Sequence, residues 1–127
     1  MATIRDIVVD CRHPASLARF WAAVLDDHAI APYGEAELER LRANGIDDPE
    51  DDPTVLLLGT PRIWFQLVPE PKTVKNRVHL DLRADDPERE LARLTGLGAT
   101  ITERLEHWAL LADPEGNEFC LMTFSGS

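Results

Sequence analysis

The stretch that decides the fold is Val78–Glu88, which reads VHLDLRADDPE. It predicts a short strand followed by a polar corner, and Pro87 then stands at the first position of a helix, where a missing N–H costs nothing. The same arrangement occurs near the N-terminus, where Asp6 corresponds to His79 and Pro14 to Pro87. We therefore expect one structural module to be present twice in the chain.

Both copies continue with the same order of predicted elements, which is a strand, a helix and then two or three strands. The first copy gives Ile4–Cys11, Pro14–Leu25, a short strand over 28–32, Thr54–Leu58 and Arg62–Val68. The second copy gives Arg77–Ala84, Pro87–Thr95, Ala99–Arg104, His107–Ala112 and Glu118–Phe124. If the last turn of its helix extends further, Leu97 is predicted to face inward as well. This order predicts an α+β fold built from two βαβββ modules, because helices are too few for a doubly wound sheet.

The chain of 127 residues forms one domain, with module one at about 1–70, a stiff connector and module two at about 76–127. The segment 35–53 is inserted into module one. Its first part, Glu35–Ala43, predicts a surface helix. Its second part, Asp47–Pro53, has two prolines and a run of like charges, which predict a solvated loop. An interaction surface is the alternative interpretation of this acidic insertion.

The net charge of −10 disfavours nucleic acids and anionic membranes as partners, since phosphate contacts need clustered lysine and arginine. No apolar run is long enough to cross a membrane, and no signal peptide is visible. The two cysteines, Cys11 and Cys120, form no CxxC pair, so we expect free thiols and a cytoplasmic protein.

Three segments resemble the vicinal oxygen chelate superfamily, which includes glyoxalase I, bleomycin-resistance proteins and extradiol dioxygenases. They are the strand and helix of each copy and, above all, the turn and strand Asp113–Cys120 (DPEGNEFC). The likeness is strongest to small glyoxalase-like domains. It implies that the modules curl into a pair of half-barrels around a shared cleft for a small-molecule ligand. Family members pair their modules within a chain or across a homodimer, and both remain open here.

The resemblance also implies positions for metal ligands, which fall on Asp6, Gln66, His79 and Cys120, with Glu118 as a substitute for Cys120. A divalent ion such as zinc, nickel, manganese or iron would suit such a site. The alternative is a cavity without metal, in which His79 and Gln66 make hydrogen bonds and Cys120 is a small buried residue. Asp6 and His79 would then form either a proton-transferring pair or a structural hydrogen bond.

Two functions are consistent with these residues. The first is a glyoxalase-like lyase or isomerase, with His79 and Asp6 as catalytic residues and a small oxygenated substrate. The second is a protein that sequesters a small hydrophobic or aromatic compound without metal, as in drug resistance. Trp64, Gln66 and Trp108 are the candidate ligand-binding residues, because pockets combine aromatic walls with a few polar groups. The sequence leaves open whether the protein is an enzyme.

Overall fold

A computed structural model describes residues 1–123 of the chain. They divide into two compact units, of which one comprises Met1–Pro71 and the other starts at Lys72. Each unit contains one four-stranded sheet. The boundary falls in the connector that is rich in proline and polar residues, where the chain makes no regular structure.

The first unit follows the order strand, helix, strand, insertion, strand, strand. Its elements are β1 (Asp6–Cys11), α1 (Pro14–Val24), β2 (Ala29–Ile30), α2 (Glu35–Ala43), β3 (Thr54–Leu58) and β4 (Arg62–Leu67). The sheet order is β1-β4-β3-β2, in which β1 pairs parallel with β4 and the other pairs are antiparallel. Helix α1 contacts β2, β3 and β4, so it covers one face of this sheet.

The second unit repeats this topology without the insertion. Its elements are β5 (Leu80–Leu82), α3 (Pro87–Leu97), β6 (Thr100–Arg104), β7 (Trp108–Ala112) and β8 (Glu118–Met122). The sheet order is β5-β8-β7-β6, again with one parallel pair between the first and last strands. The predicted α+β class and the two βαβββ modules are therefore confirmed.

Alternation along the strands separates a face packed against the helix from a face that carries polar groups. In β4, Ile63 and Phe65 are buried while Arg62, Trp64 and Gln66 point to the other side. The helices supply matching apolar stripes. Those stripes are formed by Leu17, Ala18, Phe20, Trp21 and Val24 in α1 and by Leu91 and Leu94 in α3.

The turn before β8 is organised by Asp113, which is 4% exposed. Its side chain accepts hydrogen bonds from the backbone N–H of Glu115 and Asn117 and from the Asn117 side chain. Gly116 adopts a positive φ of 89°, where a side chain would be strained. The DPEGN motif therefore forms a structural turn that aligns β8.

Two predictions for the second unit are wrong in detail. The strand expected over Arg77–Ala84 covers only Leu80–Leu82. On its N-terminal side the Asn76 side chain donates to the Glu118 carbonyl, at the place where a strand ladder was expected. Leu97 ends α3 but is 38% exposed instead of facing the core. The strand predicted to reach Phe124 is present over Glu118–Met122, and Phe124 lies outside the described residues.

The acidic insertion is more ordered than its sequence predicts. Pro49–Asp51 forms a 3₁₀ turn, and the Glu50 N–H at its start donates a hydrogen bond to the Asp48 side chain. Asp52 is only 3% exposed, and its carboxylate accepts from the Tyr33 hydroxyl at 2.7 Å and from the Thr54 N–H at 3.0 Å. The expectation of a solvated loop is therefore wrong at Asp52, because these two donors replace the water that a buried carboxylate loses.

Neither Cys11 nor Cys120 forms a disulfide, as the sequence predicts, and the structure shows that both are buried. Within residues 1–123, none of the helices has the length and apolar character needed to cross a bilayer.

Candidate functional site

Three potential metal ligands meet on the polar face of the second sheet. Asp81 in β5 lies directly opposite Cys120 in β8, and His79 is two residues before Asp81, which places it on the same side of the chain. One ligand atom from each residue lies within 4.8 Å of the others. We call His79, Asp81 and Cys120 the ligand triad.

The ligand triad has a buried base and an open mouth. Cys120 is 6% exposed, whereas the side chains of His79 and Asp81 are 49% and 58% exposed. His79 Nε2 lies 3.3 Å from Asp81 Oδ1. This separation is about what two ligands of a single tetrahedral zinc ion would show, given bond lengths of about 2.0–2.1 Å.

The surroundings of Cys120 keep its thiol protonated when no cation is bound. Burial raises the pKa of Cys120, and the charge of Asp81 and a hydrogen bond to it raise that pKa further, against the opposing effect of Lys75. A high thiol pKa argues against a free cysteine nucleophile, because the thiolate is the reactive form. A bound cation would favour the thiolate instead.

The chemistry of the triad suits a divalent transition metal. An imidazole nitrogen, a carboxylate oxygen and a thiolate sulfur are all zinc ligands, and three protein ligands leave a position for a small molecule. One carboxylate and one thiolate would also balance the charge of a divalent ion. The residues present therefore fit a metal of this class.

Asp6 forms an ion pair with Arg62. The sequence predicted Asp6 as both a metal ligand and a catalytic residue. Arg62 donates from Nε to Oδ1 at 2.8 Å and from Nη2 to Oδ2 at 3.0 Å, and Trp64 Nε1 donates to Oδ2 at 3.3 Å. The Arg62 hydrogen bonds hold the pKa of Asp6 below its ordinary value, although burial opposes them. In this arrangement both Asp6 oxygens are occupied by donors.

The other predicted residues fall into two groups. Trp64 and Gln66 share the polar face of β4 in the first unit, where Gln66 is exposed. Trp108 is 40% exposed on β7, on the same face as Leu110, which lies opposite Cys120. The structure thus brings His79 together with Cys120 in the second unit and Asp6 together with Trp64 in the first.

Glu118, the predicted substitute ligand, instead holds the connector. Its Oε2 lies 3.2 Å from Lys72 Nζ and accepts the Asn76 N–H at 3.0 Å. Burial alone would raise the pKa of Glu118, but the Asn76 and Lys72 donors outweigh it and lower that pKa. Glu118 is therefore a structural anchor in this arrangement.

Asp81 is the residue that sequence reasoning missed. The available signal was its spacing of two from His79, since alternate residues of a strand face the same side. Its pairing with Cys120 depends on the register between β5 and β8, which the sequence does not reveal.

The comparisons with known proteins agree with this fold. Residues 6–122 match the model of the glyoxalase-like domain family. The chain belongs to this family. This match confirms the predicted resemblance to the small glyoxalase-like domains of the vicinal oxygen chelate superfamily. No curated protein sequence matches the chain significantly.

Several solved structures share the fold at low sequence identity. The fosfomycin resistance protein FosX from Mesorhizobium loti has a TM-score of 0.68 at 16% identity, covering 98% of this chain and 94% of that one. A glyoxalase/bleomycin resistance/dioxygenase family enzyme from Burkholderia phytofirmans has a TM-score of 0.62 at 19% identity, covering 94% and 97%. A FosX mutant from Listeria monocytogenes, complexed with Mn(II) and 1S,2S-dihydroxypropylphosphonic acid, has a TM-score of 0.62 at 10% identity, covering 98% and 92%.

Proposed function

We propose that this glyoxalase-like protein binds a divalent transition metal through the ligand triad and acts on a small oxygenated compound as a lyase or isomerase. The observation that supports the proposal is the convergence of His79, Asp81 and Cys120 ligand atoms within 4.8 Å. The Listeria relative holds Mn(II) together with a small dihydroxy phosphonic acid. A compound of that general kind, small and rich in oxygen, is the class proposed here.

The chain's own residues have distinct tasks in this proposal. Cys120 forms the buried base, while the half-exposed His79 and Asp81 leave the mouth accessible to a small molecule. Trp108 offers an exposed flat surface on the same sheet face, suited to the carbon skeleton of a ligand. A bound divalent ion would supply Lewis-acid polarisation of a ligand oxygen.

Metal titration of the whole protein tests the proposal. We expect one divalent ion per chain, and we expect His79→Ala and Asp81→Asn each to weaken binding by about 100-fold or more, since loss of outer partners alone costs about 10–100-fold. The matched controls are His107→Ala and Asp85→Asn, which change an exposed histidine and an exposed aspartate of the same unit. Equal losses in the controls, or no binding by the unmodified protein, would refute the proposal.

Sequestration of an aromatic compound without metal is the second candidate function. It is favoured by the Asp6–Arg62 ion pair, which occupies both oxygens of one predicted metal ligand, and by the neighbouring Trp64 on the same sheet face. Val8, directly opposite Trp64, is 51% exposed and extends the apolar surface. These contacts suit a flat ligand lying against the indole.

Thermal-shift screening separates the two functions. If sequestration is correct, aromatic compounds raise the Tm in excess chelator, and Trp64→Ala abolishes the shift while Trp108→Ala retains it. If the metal proposal is correct, oxygenated compounds raise the Tm only after a metal has been added.

A further inference from the structure

We infer that Cys120 determines the metal preference of the ligand triad, so that the site selects zinc over manganese. This inference rests on the proposed function and deepens it. It concerns the class of ion that the site accepts, and it depends on the sulfur ligand and on its place at the base of the cluster.

The three ligands differ in softness. Thiolate favours zinc and other soft or borderline ions, imidazole suits several transition metals, and carboxylate and water are the ligands that suit manganese. Only Asp81 supplies an oxygen, whereas Cys120 supplies sulfur and His79 nitrogen. Manganese would therefore have one well-matched protein ligand, and zinc would have three.

The position of Cys120 means that an ion bound by His79 and Asp81 would also contact its sulfur. Its neighbours Phe119 and Leu121 are 1% exposed, so β8 is fixed in the sheet on both sides of this residue. The Cys120 side chain is itself buried, and its Cα partner in β5 is Asp81. An ion that contacts both His79 and Asp81 at the mouth would consequently lie over the sulfur.

The preference is measured by competition between Zn²⁺ and Mn²⁺ in the presence of a chelator of known affinity. We expect the unmodified protein to bind zinc at least about 100-fold more tightly than manganese. Cys120→Ser should lower zinc affinity by about 100-fold and manganese affinity by less than about threefold. Cys11→Ser, which changes the other buried cysteine, is the matched control and should leave both affinities unchanged.

Cobalt substitution gives a readout that does not depend on affinity. Co²⁺ bound by the unmodified protein and by the Cys11→Ser variant should show a thiolate-to-cobalt charge-transfer band in the near ultraviolet. Cys120→Ser should lack this band. Because the unmodified protein is itself informative, the test remains decisive even if the Cys120→Ser variant does not fold.

The outcomes distinguish this inference from the proposed function. If a metal binds through His79 and Asp81 but cobalt shows no charge-transfer band, the inference is overturned and the proposed function stands. The same holds if zinc and manganese bind with similar affinity. If none of the three ions binds, the proposed function fails and the inference fails with it.

Discussion

Asp6 and Asp81 each lie on the polar face of the first strand of their unit, yet different kinds of side chain surround their carboxylates. Asp6 faces the guanidinium of Arg62, its Cα partner across β1 and β4. Asp81 faces His79 and Cys120. The sequence predicted His79 and Cys120 as site residues but not the difference between the aspartates, because strand register decides which side chains become neighbours.

The ion pair of Asp6 leads to a prediction about acid stability. The folded-state pKa of Asp6 lies below its ordinary value of 3.8, so the stabilisation that it provides is present above that pH. It is lost as the pH falls towards the folded-state pKa. Urea unfolding should therefore show Asp6→Asn to be less stable than the unmodified protein at pH 7, with the difference shrinking below about pH 4.

Asp10→Asn is the control for this measurement. It removes an exposed carboxylate from the same strand and so alters the net charge equally. If the stability difference for Asp6→Asn stays constant as the pH falls below about 4, the ionisation of Asp6 is not linked to folding.

At the scale of elements, the sequence predicted the type of nearly every helix and strand, and the ends were less predictable. Helix α2 begins and ends where the sequence predicts. The helix-favouring residues of Glu35–Ala43 and the Asn44-Gly45 pair that ends the helix are both local signals. Strand β5 begins later than predicted because the Asn76 side chain donates to the backbone carbonyl of Glu118, a residue distant in the chain. Local chemistry is thus readable from sequence, whereas tertiary competition for backbone partners is not.

The turn at Asp113–Asn117 gives a prediction at this scale. Asp113→Ala should lower the free energy of unfolding by about 1–3 kcal/mol, because its buried carboxylate accepts both backbone and side-chain hydrogen bonds. Chemical denaturation measures the change. Asp85→Ala, which removes an exposed aspartate of the same unit, should stay within about 0.5 kcal/mol. Equal effects in the two variants would show that the turn does not depend on the Asp113 carboxylate.

At the scale of the whole chain, the repeated strand-proline-helix pattern was sufficient to predict two βαβββ modules. The pattern is informative because each copy must bury the apolar face of its sheet under its own helix. The insertion was less predictable, since burial of Asp52 depends on the Tyr33 hydroxyl, which lies outside the acidic run.

The net charge of −10 predicts how stability responds to salt. Raising the NaCl concentration from about 0.01 M to about 0.5 M shortens the screening length severalfold and weakens self-repulsion. We expect the Tm to rise by a few degrees in chelator-treated buffer, measured by differential scanning fluorimetry. A fall in Tm would mean that surface ion pairs such as Arg19–Glu50 outweigh the repulsion.

The short strands β2 and β5 have a consequence for aggregation. Each lies at the edge of its sheet and offers only two or three residues of open backbone. The longer edges carry charge, through Asp6 and Asp10 in β1 and through Glu103 and Arg104 in β6. Brief or charged edges resist further strand addition. Neither sheet thus presents a long, uncharged border on which a fibril could grow.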